Sequence, residues 1–283
     1  MENILITGVT GTLGQQLSKL LLAEDDSVNV IGFSRDEQKQ RLIKPHNRLH
    51  LSICDVRDYA AMVRAVGNRK IDRIYHLAAL KCVDTMEYHP SESIETNVLG
   101  TRNVLDLADQ CCADLVFTST DKACYPINAY GQSKALAEKL VLRAGHTVVR
   151  YGNVVGSRGS FLAMLRHSLK TTRSVNLTHG EMTRFWMDAR DVARFVMNAE
   201  GNRVCLPENL HSSTVVDFID AVASHLDIPG YKTRVVGIRP GEKIHETLMT
   251  MEEGQLIQSS DETLQFTRKD LIHFLGEIME GMK

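Results

Sequence analysis

"NILITGVTGTLGQQLSKLLLAE", residues 3–24, sets a short apolar run against a glycine-punctuated turn and then a helical pattern. The run at 3–7 predicts a strand, and residues 12–24 predict an amphipathic helix. Gly8, Gly11 and Gly14 fall between the two with GxxGxxG spacing. Small residues there let the backbone approach a pyrophosphate, and the helix N-terminus faces its negative charge. The spacing departs from GxGxxG, so its weight comes from its place, directly after a first strand and opening a helix.

The same rhythm continues along the chain. Apolar runs at 28–33, 49–54, 73–78, 114–119 and 146–151 predict five more strands. A long helical pattern follows Pro90, another covers 128–144, and Gly145 fits a C-cap before the last of these strands. Repeated β-α-β units predict an α/β fold: a Rossmann-like, doubly wound parallel sheet with a smaller C-terminal substrate-binding lobe. The dinucleotide-binding domain is expected over 1–150. After about 150 the regular alternation breaks, so 151–283 should form mainly the second lobe, with some segments returning to the sheet.

Bulk composition narrows the function classes. Among 283 residues, 43% are hydrophobic and 24% charged, with a formal net charge of -2. That balance argues against a general nucleic-acid or membrane-surface binder, while leaving room for a local basic pocket. The six cysteines form no CxxC pair and the 11 histidines no HExxH pattern. Reduced thiols, no metal site and a cytoplasmic protein are therefore expected. The N-terminus "MENILITG" lacks a basic region followed by a long apolar run, and no stretch reaches the roughly 18 apolar residues of a membrane span.

The end of the second strand selects the cofactor. An acidic residue there would bind the 2′-hydroxyl of NAD, but this chain has Ser34 and Arg35. A hydroxyl and a guanidinium suit a 2′-phosphate, which favours NADP, while the adjacent Asp36 keeps NAD as the lesser alternative. Asp55, after the third strand, could accept from the adenine amino group or be an ordinary turn residue. Ala78 and Ala79 end the fourth strand, small enough for a cofactor ribose to lie close.

Tyr130 and Lys134 are four residues apart and share one helix face. An ammonium beside a phenol favours the phenolate, which can take a proton from a substrate hydroxyl as hydride leaves. Just upstream, the fifth strand ends in Ser119, Thr120, Asp121 and Lys122. Simple hydride transfer does not require that acid and amine.

These segments resemble an extended short-chain dehydrogenase/reductase, and more narrowly the inverting UDP-N-acetylglucosamine 4,6-dehydratases. The resemblance rests on "TGVTGTLG", "FSRDEQKQ", "HLAALKCVDTMEYHPSESIETNVLGT", "TSTDKACYPINAYGQSK", "VVRYGNVVGSRGS", "EMTRFW" and "IRPGEKIHE". Retaining nucleotide-sugar dehydratases usually carry Thr-Asp-Glu where this chain has Thr-Asp-Lys, as the inverting group does. Related capsule-pathway enzymes often have Met in place of Tyr130.

The resemblance implies a redox-neutral cycle: C4 oxidation, C5 deprotonation, loss of the C6 hydroxyl and hydride return to C6. Lys122 is the candidate base at C5, Asp121 the acid at C6, and Thr120 a hydrogen-bond donor to the C4 oxygen. Thr10, Leu13, Val56, Lys81 and Asn97 join the expected cofactor contacts, and Lys81 also the substrate contacts. UDP-N-acetylglucosamine or a close UDP-sugar is the expected partner, held by Asn153, Arg158, Ser160, Arg184, Arg239 and Glu242. A homo-oligomer is expected. Trp186, the single tryptophan, reads as packing rather than as a stacking platform. A C4-epimerase would share Tyr130 and Lys134 without needing Asp121 and Lys122, and a non-catalytic NADP-sensing protein would lack the Tyr or the Lys, whereas both are present.

Overall fold

The computed structural model describes residues 1–250, 253, 258–263 and 265–280. In chain order the first elements are β1 (Glu2–Thr7), α1 (Thr12–Glu24), β2 (Val28–Ser34), α2 (Glu37–Arg41), β3 (Leu49–Ile53) and α3 (Tyr59–Val66). Then come β4 (Arg73–His76), α4 (Val83–Tyr88), α5 (Pro90–Ser93), a π-helical turn (Ile94–Leu99) and α6 (Gly100–Cys111). β5 (Asp114–Thr118), a 3-10 turn (Asp121–Ala123), α7 (Ala129–Arg143) and β6 (Thr147–Val149) follow. Beyond residue 150 lie β7 (Asn153–Val155), α8 (Phe161–Thr171), β8 (Ser174–Leu177), β9 (Thr183–Asp188), α9 (Ala189–Met197) and β10 (Val204–Cys205). The last are β11 (Ser212–Thr214), α10 (Val215–His225), β12 (Lys232–Val235), β13 (Thr247–Met249), β14 (Gln258–Ser259) and α11 (Arg268–Glu280).

The chain divides into two compact units: residues 1–150 with 190–206, and residues 151–189 with 207–283. The first unit holds a seven-stranded sheet in the order β10-β6-β5-β4-β1-β2-β3. Every pairing in it is parallel. The order reverses between β1 and β4, which is the doubly wound arrangement, and such sheets place ligands at the carboxyl ends of the strands beside that reversal. Strands covered on both faces are apolar along their whole length, and Leu5, Ile31, Phe33, Ile74, Leu115, Phe117 and Val148 form the core here.

The helical pattern after Pro90 is broken locally. Residues 94–99 form a π-helical turn between α5 and α6. The i→i+5 bonding of such a turn fits one extra residue into the helix, and these turns recur at functional sites. Gly145, at φ +80°, follows α7 and takes the left-handed conformation that ends a helix before β6.

The second unit contains the three-stranded sheet β11-β9-β7 and two two-stranded pairs, β12-β8 and β13-β14. Its core joins Leu162, Leu165, Trp186, Phe218, Ile219, Val222, Leu271 and Leu275. Trp186 lies 3.9 Å from Phe218, ring centroid to centroid, and its indole nitrogen donates to Ser213 at 2.8 Å. Among the described residues no helix is long and apolar enough to cross a membrane.

Candidate active site

The turn after β1 is shaped by backbone contact. Gly8 has φ +72°, and a β-carbon on it would stand 2.9 Å from the Ala78 nitrogen. At Gly14 that carbon would meet the Gly8 carbonyl at 2.5 Å. Gly11 opens α1 as its N-cap, with no side chain to cap it. A carbon added at Gly11 meets only the Gly8 carbonyl, at 3.1 Å, so the space beside the helix start is open. Leu13 is half-buried in the first turn of α1.

The Thr10 hydroxyl lies 2.7 Å from the Ser34 hydroxyl, which also accepts the Asp36 N–H at 3.2 Å. This joins the glycine turn to the end of β2. Arg35 is half-exposed and 3.6 Å from the Asp55 carboxylate. Asp55 is held more firmly by Arg57, at 3.0 Å and 2.7 Å through two guanidinium nitrogens. Burial opposes ionisation of Asp55, but the bonds from Arg57 and the charge of Arg35 outweigh it and lower its pKa. Arg57 and its second partner, Glu92 at 3.2 Å, were not singled out from the sequence. Val56 is buried and meets Gly100, where an added carbon would stand 2.8 Å from it.

At the end of β4, Ala78 and Ala79 are half-buried and Lys81 is exposed. Asn97 sits in the π-helical turn, 1% exposed. Its side-chain oxygen accepts the Leu80 N–H at 2.9 Å, and its amide donates to the Leu80 carbonyl and to Ser133, both at 3.0 Å. The polar groups of Asn97 thus pin the segment leading to Lys81 and the helix carrying Tyr130.

Thr120, Asp121 and Lys122 form one cluster. Thr120 donates from its hydroxyl to Asp121 Oδ1 at 2.8 Å and accepts the Lys122 N–H at 3.3 Å. Lys122 Nζ reaches the same Oδ1 at 3.0 Å. Asp121 is fully buried, and its Oδ2 has no hydrogen-bond partner. A buried carboxylate oxygen left in that state is costly.

Asn128 caps α7 by accepting the Gly131 N–H at 2.7 Å. Tyr130 and Lys134, both buried, lie one helical turn apart on α7. Lys134 Nζ donates to the Thr118 carbonyl at 2.6 Å and lies 3.8 Å from the Phe117 ring centroid. Burial pushes the Lys134 pKa down to about 7, opposed by the charge of Glu138 a further turn along. Glu138 makes a buried two-bond pair with Arg150, at 2.8 Å and 2.6 Å. That pair was also not singled out, although residues 130, 134 and 138 repeat at helical spacing.

In the second unit, Asn153 pairs in register with Trp186 across β7 and β9. Arg158 is exposed in the loop before α8, and Ser160 is that helix's N-cap residue, its hydroxyl buried without a partner. Arg239 donates its backbone N–H to Glu242 at 3.0 Å, closing the turn that contains Gly241 at φ +79°. Arg184 is buried. Its terminal nitrogens donate to the carbonyls of Thr183, Ile244 and Lys243 at 2.6, 3.0 and 2.9 Å. The guanidinium thereby ties β9 to the backbone of Lys243 and Ile244. Among the described residues no group of three His, Cys, Asp or Glu is arranged to hold a metal ion.

Residues 4–267 match the family described as Polysaccharide biosynthesis protein. The UDP-N-acetylglucosamine 4,6-dehydratase (inverting) of Campylobacter jejuni is 35% identical over 273 residues, covering 90% of this chain and 79% of that protein. The UDP-glucose 4-epimerase of Rickettsia akari is 36% identical over 270 residues, covering 89% and 79%. The solved structure of Pen from Bacillus thuringiensis superposes with a TM-score of 0.89 at 28% identity, covering 97% of this chain and 96% of that one. The chain belongs to the polysaccharide biosynthesis protein family, within the extended short-chain dehydrogenase/reductases that include the inverting UDP-N-acetylglucosamine 4,6-dehydratases.

Proposed function

We propose that this chain is an NADP-dependent, C5-inverting UDP-N-acetylglucosamine 4,6-dehydratase. Its product would be a UDP-2-acetamido-2,6-dideoxy-L-arabino-hex-4-ulose for surface-glycan synthesis. The observation that carries the reading is the buried Asp121 carboxylate, with Oδ1 shared by Thr120 and Lys122 and Oδ2 unpartnered. Oxidation and reduction at one carbon need only the tyrosine and lysine, whereas elimination needs an acid and a base together.

The residues present fit a dinucleotide. A close backbone turn opens α1, and the hydroxyls of Thr10 and Ser34 with Arg35 stand at the end of β2. When bound, the nicotinamide would accept hydride from C4 and return it to C6. Tyr130 would take the C4 hydroxyl proton, with Lys134 supporting its phenolate. Thr120 would turn its hydroxyl toward the C4 oxygen as that becomes a carbonyl. Lys122 can act as base at C5 once its own proton has passed to Asp121 along their 3.0 Å bond. Asp121, now protonated, gives that proton to the C6 hydroxyl, which leaves as water. The inversion is completed when C5 takes a proton on its opposite face from Asp121, Lys122 or Tyr130, the proton that Tyr130 took from the C4 hydroxyl balancing the cycle.

Lys81, Asn153, Arg158, Ser160, Arg184, Arg239 and Glu242 are assigned to the UDP-sugar. A cytoplasmic homo-oligomer completes the proposal. C4-epimerisation is the second reading, favoured by the comparable identity to the Rickettsia akari epimerase. Incubation with UDP-N-acetylglucosamine and catalytic NADP in deuterated water separates the two. The dehydratase loses water, gains deuterium at C5 and yields the L-configured 4-ketone by NMR. Recovery of UDP-N-acetylgalactosamine alone overturns the proposal in favour of the epimerase.

A further inference from the structure

Where β1 and β4 end, a run of buried hydrogen bonds joins groups that the proposed chemistry does not use. His76 is 1% exposed. Its Nδ1 lies 2.6 Å from the Thr7 hydroxyl and its Nε2 3.0 Å from the Thr101 hydroxyl. Counting donors fixes the direction. Thr7 Oγ1 accepts the Ala78 N–H at 3.2 Å and shares the Leu77 N–H, also at 3.2 Å, with the Thr7 carbonyl. The Thr101 hydroxyl spends its one hydrogen on the Asn97 carbonyl at 2.6 Å, so toward the ring it can only accept. Nε2 therefore carries the hydrogen and donates to Thr101, and Nδ1 is the acceptor.

The same polarity runs onward. Thr101 donates to the Asn97 carbonyl at 2.6 Å, and the Asn97 amide donates to Ser133 at 3.0 Å. Ser133 accepts from Ser93 as well, at 3.0 Å, and donates to the Tyr130 carbonyl at 2.8 Å. Each hydroxyl spends its one hydrogen once. A charged imidazole, or one protonated at Nδ1, would set two donors against each other at Thr7. The cation that acts on the ring is Lys134, which packs on Phe117, whose ring centroid is 5.5 Å from that of His76. Burial, and then that cation, push the His76 pKa down to about 3.

We propose that His76 is a positioning residue, locked as the Nε2–H tautomer, that holds the Gly8 turn and the Ala78 segment in register with the Tyr130 helix. The proposal rests on reading the Gly8 turn as a nicotinamide-dinucleotide site. Thr7 immediately precedes Gly8, and the N–H it accepts from Ala78 ties the turn to that backbone. A carbon at Gly8 would already be too close to that backbone.

The test begins with the wild-type protein labelled with 15N-histidine, with His76 assigned by comparison with a His76→Asn variant. Nδ1 should resonate as an unprotonated nitrogen and Nε2 as a protonated one, unchanged between pH 6 and 9. The reverse pattern, an averaged pair or a titration in that window overturns the proposal. Asn keeps an acceptor near the Nδ1 position, whereas Gln reaches toward Thr101. His76→Asn should therefore hold NADP within about threefold of wild type, and His76→Gln should bind it about tenfold more weakly, the cost of one lost hydrogen bond. Tight binding by the Gln variant with loss in the Asn variant also overturns it. Wild-type protein that binds neither NADP nor NAD would sink the cofactor reading instead, and the ring-nitrogen signals would still decide the tautomer.

Discussion

The carbonyl oxygen of Lys122 lies 2.2 Å from where a β-carbon on Gly131 would stand. Only a residue without a side chain lets α7 approach the 3-10 turn this closely. The contact holds the Thr120–Lys122 cluster against the helix that carries Tyr130 and Lys134.

Gly131→Ala should therefore act on both elements at once. Relief of the overlap requires backbone displacement, and overpacking of this kind costs about 1–3 kcal/mol. Denaturant unfolding should register that loss. Turnover should fall more steeply than stability, by about a hundredfold or more, because misplacing reacting groups by about 1 Å costs that much. Wild-type turnover by the variant would show that the contact does not place the cluster.

Lys134 predicts how stability without cofactor changes with pH. Its pKa is pushed down from 10.5 to about 7 in the folded chain. Between those values the unfolded chain binds the extra proton, so stability should rise as pH increases from 7 toward 10.5. The slope approaches about 1.4 kcal/mol per pH unit for one proton. Below pH 7 the penalty is fully present. Comparing wild type with Lys134→Met by chemical denaturation from pH 6 to 10 isolates the effect, since the methionine lacks this slope.

The Glu138–Arg150 pair is almost completely buried, each side chain 4% exposed. Removing one partner leaves a buried charge, so Glu138→Gln should cost about 3–5 kcal/mol. Replacing both with apolar residues of similar volume should recover most of that loss. A double-mutant cycle read by thermal unfolding checks the coupling.

Cofactor choice should turn on Arg35. Its link to Asp55, at 3.6 Å and half-exposed, is loose enough to yield to a phosphate. Arg35→Ala should weaken NADP by about ten- to a hundredfold, the worth of a charge-assisted hydrogen bond. NAD affinity should change far less. Fluorescence titration with both cofactors decides it, and equal losses for the two would remove the 2′-phosphate from this residue.

What the sequence made legible was local. The glycine turn, α1 and the parallel strands follow from patterns confined to a few neighbouring residues, and the expected strands differ from the observed ones mainly at their ends. The cluster at 120–122 was legible for the same reason, since its members are consecutive. The buried hydrogen bonds of Asn97 and His76 were not, because they depend on which carbonyls and hydroxyls the fold brings near. Arg184 makes the same point, since its carbonyl partners at 183, 243 and 244 come from separate stretches of chain that nothing in the local sequence announces.

The sheet's last strand, β10, arrives only after the chain has left the first unit and come back. Cutting at residue 150 would strip β6 of its outer neighbour and leave a raw sheet edge open to adventitious pairing. The halves are therefore not modular in the way of beads on a string. Grafting a foreign second unit onto this sheet would take three splice points, after residues 150, 189 and 206, rather than a single crossover.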